Sequence, residues 1–362
     1  MQRAYSSLPQ PFPSVNMTRV CIFALMLAAV LPALAACTCT SKTAIPRKEY
    51  GSLTRQEKLS FVSAVKCVMK KSSLLHKVVP ATTNRYDDYA AEHVNMTTSI
   101  HIDGIFLSWH RHFVYLMEQE LHSCGWPSSL GMPYWNYTLY KDLEKSPIFD
   151  GSDTSLGGNG LYDPDSGEYV TPSGVVLPHG SGGGCVTTGP FAYHTVYFQP
   201  LDFNVVFTGL PDNWTQPDPH CMTRDLNNYG VVNFNNKSDI DYILAKTTIA
   251  DFQTDINGYG DSPGVHGGGH YAIGGTGYDF FGSPQDPAFF LHHSMLDNIW
   301  EKWQAADPKN RRYVYAGTST IFNQPTTPDV TNDTVLSYSV LGQTTVKQVQ
   351  DPLGNGYCYK YV

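Results

Sequence analysis

Residues 93–112 read His93-Val-Asn-Met-Thr-Thr-Ser-Ile-His101-Ile-Asp-Gly-Ile-Phe-Leu-Ser-Trp109-His110-Arg111-His112, and residues 286–303 read Asp286-Pro-Ala-Phe-Phe-Leu-His292-His293-Ser-Met-Leu-Asp297-Asn-Ile-Trp300-Glu-Lys-Trp303. In the first stretch His101 and His110 are nine residues apart. At about 100° per residue that places them on opposite sides of any single helix, so one helix cannot aim both at one point. Gly104 supplies a break between them. The spacing predicts His101 on an approach loop and His110 inside a following helix, whose apolar Phe113, Leu116, Met117 and Leu121 recur at helical period. His93 is placed at the end of the preceding helix. In the second stretch Asp286-Pro287 opens a helix, and only one of the adjacent His292 and His293 is expected to point inward.

Between these stretches lies a third element. His266 and His270 are four apart and share one helical face. The three glycines between them, Gly267 to Gly269, each cost a helix interior roughly 1 kcal/mol relative to alanine. Retaining them implies a need for backbone room, either for close helix packing or for a substrate ring. The histidines thus fall into two groups of three, an early one (His93, His101, His110) and a late one (His266, His270 and one of the 292–293 pair). Imidazole is a preferred side-chain ligand for copper, and three neutral imidazoles hold one ion while leaving a position free for a small molecule. Two such triads make a two-metal oxygen site. His112 and His292 flank the candidate ligands and are expected to be structural.

Composition agrees with a sizeable single core: 362 residues, 41% hydrophobic and 13% aromatic. The net charge of -8 argues against a nucleic-acid or anionic-membrane partner. From Met17 the chain reads as a signal peptide, with Arg19 as basic region, an apolar run from Val20 to about Ala35, and Ala33-Leu-Ala35 as a small-residue cleavage site. The expected division is therefore 1–35 as N-terminal extension and signal, and 36–362 as one domain that is exported. Cleavage leaves seven cysteines, Cys37, Cys39, Cys67, Cys124, Cys185, Cys221 and Cys358, enough for three disulfides of unassigned pairing. Sequons stand at Asn95, Asn136, Asn213, Asn236 and Asn332; Asn95 and Asn136, beside expected core segments, are expected to stay unmodified. Residues 150–230 are rich in Gly, Pro, Ser and Asn and are expected to form long loops over the helices, with Gly180 to Gly184 as the most flexible point. The fold class predicted is mainly α: a central four-helix bundle carrying the ligands on inward faces, long irregular loops, and a few short strands, including one near Ser337–Leu341.

These signatures resemble the type 3 copper family of tyrosinases, catechol oxidases and molluscan hemocyanin domains. The resemblance rests on Trp109-His110-Arg111, on His266-xxx-His270, and on the Asp286-Pro-x-Phe-x-x-His-His run with Asp297 four beyond the second histidine. Pro133-Tyr134-Trp135 is similar to a family segment ending in an acid, which is Asn136 here. It covers roughly 45–362. It implies two copper ions, held by His93, His101 and His110 and by His266, His270 and His293, the second of the histidine pair. It implies that Asp297 orients a ligand or its neighbouring backbone, and that Tyr357-Cys358-Tyr359 is the closing Tyr-x-Tyr motif, packed on Arg47 or Arg85. Some relatives carry a Cys–His thioether two residues before the second ligand; Ser99 stands there instead.

The partners implied are dioxygen and a small phenolic substrate, and the activity implied is oxidation of o-diphenols to o-quinones. The alternatives are a tyrosinase or o-aminophenol oxidase, and a hemocyanin-like oxygen carrier. A carrier is disfavoured because such chains repeat the domain and cover the site. Relatives that hydroxylate monophenols well often have Asn directly after the first late ligand and Glu nine residues before it. Gly267 and Asn257 occupy those positions, and neither offers a carboxylate. Phe280 aligns with a gate over the early triad, and Tyr271 is expected to line the entrance.

Overall fold

Several helices of this chain start where a side-chain oxygen takes up free N–H groups of the first turn. A computed structural model describes residues 39–166, 169–170, 174–258 and 261–362; the expected signal segment and Cys37 lie outside them. The helices are α1 (Arg55–Val68), α2 (Arg85–Met96), α3 (Phe106–Ser123), α4 (Val205–Thr208), α5 (Asn228–Phe234), α6 (Lys237–Leu244), α7 (Ile249–Asn257), α8 (Gly264–Ile273), α9 (Ala288–Ala306) and α10 (Pro308–Arg311). Thr54 with Glu57 and Asn84 with Asp87 form reciprocal capping boxes at the heads of α1 and α2. At the head of α9, Asp286 accepts the Ala288 N–H and a two-pronged hydrogen bond from Arg224, 2.7 Å on each arm, with both side chains fully buried. The other Arg224 N–H groups go to the carbonyls of Leu156, Gly157 and Gly158. The middle of the chain is thereby fastened to the start of α9.

The strands are short and pair into five two-stranded ribbons among the described residues. These are β1 (Ile45–Arg47) with β10 (Tyr359–Tyr361), β2 (Gly160–Tyr162) with β5 (Gly183–Val186), β3 (Tyr169–Val170) with β4 (Val176–Leu177), β6 (Thr195–Val196) with β7 (His220–Cys221), and β8 (Val335–Ser337) with β9 (Gln343–Thr345). The predicted mainly helical class holds, with α2, α3, α8 and α9 around one aromatic core. Tyr89 of α2 meets Phe113 of α3 and Phe290 of α9, and Trp109 stacks on Phe113 at 4.5 Å. No helix among the described residues is long and apolar enough to cross a membrane.

One buried ion cluster locks α3 to α9. Asp297 accepts from Arg111 of α3, from Arg47 of β1, and from the hydroxyls of Tyr359 (2.7 Å) and Tyr361 (2.6 Å) of β10. Burial alone would raise the Asp297 carboxyl, but Arg111 and Arg47 hold it below the ordinary carboxylate range. The Arg47 guanidinium lies 3.5 Å from the Tyr359 ring centre and donates to the Tyr361 hydroxyl. Two expectations are corrected here. The Tyr-x-Tyr pair on Arg47 is Tyr359 and Tyr361, two residues later than read, because β10 pairs parallel with β1 in the register Arg47 to Tyr361; Arg85 instead pairs with Asp88 and Glu120. Asp297 holds arginines and tyrosines rather than a histidine, since it faces α3 and the β1–β10 ribbon.

Other expectations shift as well. Gly180 to Gly184 is a close-packed segment, not a flexible one. The Gly180 and Gly182 N–H groups donate to Asp225 at 2.8 and 2.9 Å, and a Cβ at either would run into the Arg224–Leu226 backbone. Strand β8 stops at Ser337, and Ser339–Leu341 turns into a 3-10 helix, with Ser339 at φ 47° reversing the chain toward β9. Three disulfides form, Cys39–Cys358, Cys67–Cys124 and Cys185–Cys221. Asn95, Asn213 and Asn332 are exposed, against the expected masking of Asn95. The Asn136 side chain is engaged by the Thr138 N–H and that of Asn236 caps α6.

Candidate metal centre

Local sequence delivers each histidine as the spacing predicts. His93 sits in the last turn of α2, His101 on the loop before α3, His110 one turn into α3, His266 and His270 on α8, and His293 on α9. His93, His101 and His110 gather into one cluster and His266, His270, His292 and His293 into another, the ligand nitrogens within each lying within 4.8 Å of one another. Both clusters are all-imidazole. The two face each other: the rings of His110 and His293 stack at 4.4 Å, and those of His101 and His266 at 5.9 Å.

The tautomers are set from behind. The Nδ1 atoms of His93, His101, His110 and His270 hydrogen-bond to the carbonyls of Phe281, Thr97, Phe106 and Gly277, at 2.7 to 2.9 Å, and that of His266 to the Asn257 side-chain oxygen at 2.9 Å. A carbonyl can only accept, so Nδ1 carries the proton and Nε2 presents a lone pair. The Nε2 atoms of His93, His110 and His266 are buried with no partner, and those of His270 and His293 are 3.3 Å apart. Buried lone pairs left open and converging are costly unless a cation takes them. The donor set therefore fits copper. Burial lowers every one of these histidines below the ordinary range, reinforced by neighbouring imidazoles at all but His270; His101 falls to about 3 and His270 to about 4. They stay neutral, as metal binding requires.

Both members of the 292–293 pair are buried, which corrects the expectation that only one points inward. About 100° separates them on α9. His293 projects between the clusters, against His110 and His270. His292 stacks on His266 at 5.8 Å, hydrogen-bonds the Tyr137 hydroxyl at 2.6 Å and lies near Trp135. The glycines of α8 make room for this: a Cβ on Gly269 would strike the His292 ring, and one on Gly268 would strike Phe234 and Asn235. Gly267, by contrast, would meet only Pro263, at 3.0 Å. Close packing explains two of the three glycines.

Phe280 lies beside the early triad, its ring 4.6 Å from that of His101 and only partly buried. Tyr271 is not at the entrance. One residue beyond His270, its side chain turns away from the clusters, is fully buried against Tyr169, and is held by Asn227 and the Pro178 carbonyl. Asn257, read only as an empty base position, proves to be the group that orients His266, while its NH2 donates to the Gln253 carbonyl. His112 is structural, bonded to the Tyr357 hydroxyl.

Two facing all-imidazole clusters inside a helical bundle are compatible with a dinuclear copper centre. The profile of the common central domain of tyrosinase matches residues 83–306. The chain is 39% identical to Tyrosinase P of Aspergillus terreus over 331 residues, 87% of this chain and 91% of that protein. It is 35% identical to the N-acetyl-6-hydroxytryptophan oxidase of Emericella nidulans, over 89% of this chain and 93% of that one. Its fold superposes on a mutant of the polyphenol oxidase from Thermothelomyces thermophila with a TM-score of 0.82 and 36% identity, covering 90% of each chain. The chain belongs to the tyrosinase family of type 3 copper proteins, and it is a copper oxidoreductase acting on phenols.

Proposed function

We propose that the chain oxidises o-diphenols to o-quinones in preference to hydroxylating monophenols, and that it does so after export. His93, His101 and His110 would hold one copper, and His266, His270 and His293 the other. Bound copper would supply the two-electron chemistry that couples catechol oxidation to the reduction of dioxygen. The residues around it bear on which phenol is accepted. A monophenol must surrender its proton to a base beside the late triad before it can react there. The observation that carries the reading is Asn257: the group nearest the expected base position is an amide whose oxygen is already used by His266. Gly267 adds no side chain that would order a water. Phe280, packed on His101, narrows the approach to the early triad.

Three disulfides fit an oxidising compartment, in keeping with the signal sequence read at 17–35. The test is a side-by-side rate comparison of copper-loaded protein on a catechol, the matching monophenol and an o-aminophenol. The catechol should turn over fastest. Tyrosine hydroxylation as rapid as catechol oxidation would overturn the reading. The names of the relatives include a tyrosinase and a hydroxytryptophan oxidase, which is why the monophenol arm belongs in the same experiment.

A further inference from the structure

A row of phenylalanine rings leads from the metal centre to the surface. His101 touches Phe280 at 4.6 Å, Phe280 touches Phe203 at 5.0 Å, Phe203 touches Phe207 at 6.2 Å, and Phe207 stacks on Phe322 at 6.0 Å with only 4° between the ring planes. The inner rings Phe280 and Phe203 are partly buried, and the outer pair is exposed, Phe207 63% and Phe322 45%. The row is assembled from three separate parts of the chain, namely the segment carrying α4, the loop before α9, and the 3-10 turn Ile321–Asn323. Phe322 also holds a left-handed backbone, φ 53°, which bulky side chains seldom adopt. Buried Ile321 anchors that turn while Phe322 projects outward against Phe207.

We propose that Phe203, Phe207 and Phe322 form a stacking subsite for a second aromatic ring of the substrate, so that the preferred phenols carry an uncharged aryl group on an arm para to the reacting hydroxyl. Aromatic faces bind flat rings through offset or edge contacts at these same centroid spacings, and large apolar side chains left exposed beside a site mark contact surface. The row is continuous with the gate over the early triad, so a phenol reacting at the metals would extend its para substituent past Phe280 and along it. Phenylalanine offers no hydrogen bond, so the docked ring is apolar. Asp202, exposed beside Phe203, disfavours a carboxylate on the arm. The subsite rests on the phenol-oxidase reading and specifies its substrate class.

The test compares kcat/KM for 4-methylcatechol and for a catechol bearing a para phenylpropyl arm, with the corresponding pair of monophenols run alongside. Wild type should favour the two-ring member of each pair. Phe207→Ala and Phe322→Ala should each lower kcat/KM for the two-ring substrate about threefold to tenfold, through KM, while leaving the one-ring substrate within about twofold. Phe207→Tyr should retain the preference. If both substrates fall together, or neither changes, the subsite is overturned. Copper content and thermal midpoint verify folding, and should Phe322→Ala fail to fold, Phe207→Ala decides alone. A wild type that prefers monophenols would sink the o-diphenol reading, yet the two-ring to one-ring ratio within the monophenol pair would still decide the subsite.

Discussion

At the scale of single residues, the centre works by denying imidazoles any choice. Four backbone carbonyls and one amide fix Nδ1–H on five histidines, so each lone pair is aimed before a metal arrives. His110→Ala or His270→Ala should remove one copper and the activity, counted by metal analysis of purified protein. Full stoichiometry with normal turnover in either variant would defeat the assignment. The 292–293 pair should split: His293→Ala should lose copper, whereas His292→Asn should retain it and lose about 0.5–1.5 kcal/mol of stability, because the buried Tyr137 hydroxyl loses its imidazole partner and keeps only the backbone carbonyl of residue 292. The base position yields a gain-of-function prediction. Asn257→Glu with Gly267→Asn should raise monophenol relative to diphenol turnover. The longer carboxylate can still accept from His266, and Gly267 has open space but for Pro263. An unchanged ratio of the two rates would show that the phenol proton leaves by another route.

At the scale of elements, the clasp on Asp297 determines how α3 and α9 face each other, and with them His110 and His293. Both Arg47 and Arg111 are fully buried; without the shared carboxylate Arg47 keeps Glu118 at 2.8 Å, but Arg111 is left with only Glu301, 3.6 Å away, as its acidic partner. Asp297→Asn should cost about 3–5 kcal/mol, read as a lower denaturation midpoint. Glu120→Gln, at a partly exposed pair with Arg85 and Lys71, should cost no more than about 1 kcal/mol. A small loss at Asp297 would mean that helix packing, rather than the clasp, sets the geometry. This cluster also shows what the sequence made legible. The i to i+4 histidines, the Gly104 break and the Asp286-Pro287 helix start are local signals, and all three are where periodicity placed them. The tyrosine register was not legible, since Tyr357, Tyr359 and Tyr361 alternate and only the strand pairing with Arg47 selects among them. Nor were the partners of Nδ1, because a backbone carbonyl has no sequence signature. Tyr271 was misplaced because a neighbour of a ligand on a helix points elsewhere, and the glycines at 180–184 because tight packing and flexibility use the same residue.

At the scale of the whole molecule, the described chain is closed on itself. Cys39 is bonded to Cys358, the adjoining strands β1 and β10 pair in parallel, and the Tyr134 hydroxyl donates to the Val362 carbonyl at 3.0 Å. The closure joins positions 319 residues apart, and in the chain-entropy account a longer loop stabilises more, with a native disulfide typically worth about 2–5 kcal/mol. It also carries Arg47 to the Asp297 clasp, one helical turn from His293, so opening it has two distinguishable outcomes. If its work is to restrict the unfolded chain, Cys39→Ser with Cys358→Ser should lower the thermal midpoint while copper content and catechol turnover below the transition stay at wild-type values. If the covalent link instead holds β10 against the clasp, copper should be lost at temperatures where the helical circular dichroism is still intact. The first outcome is expected, because Arg47 and both tyrosines keep their contacts with Asp297 through the β1–β10 hydrogen bonds even without the sulfur bridge. Metal release ahead of unfolding would show that the ends of the chain tune the site directly.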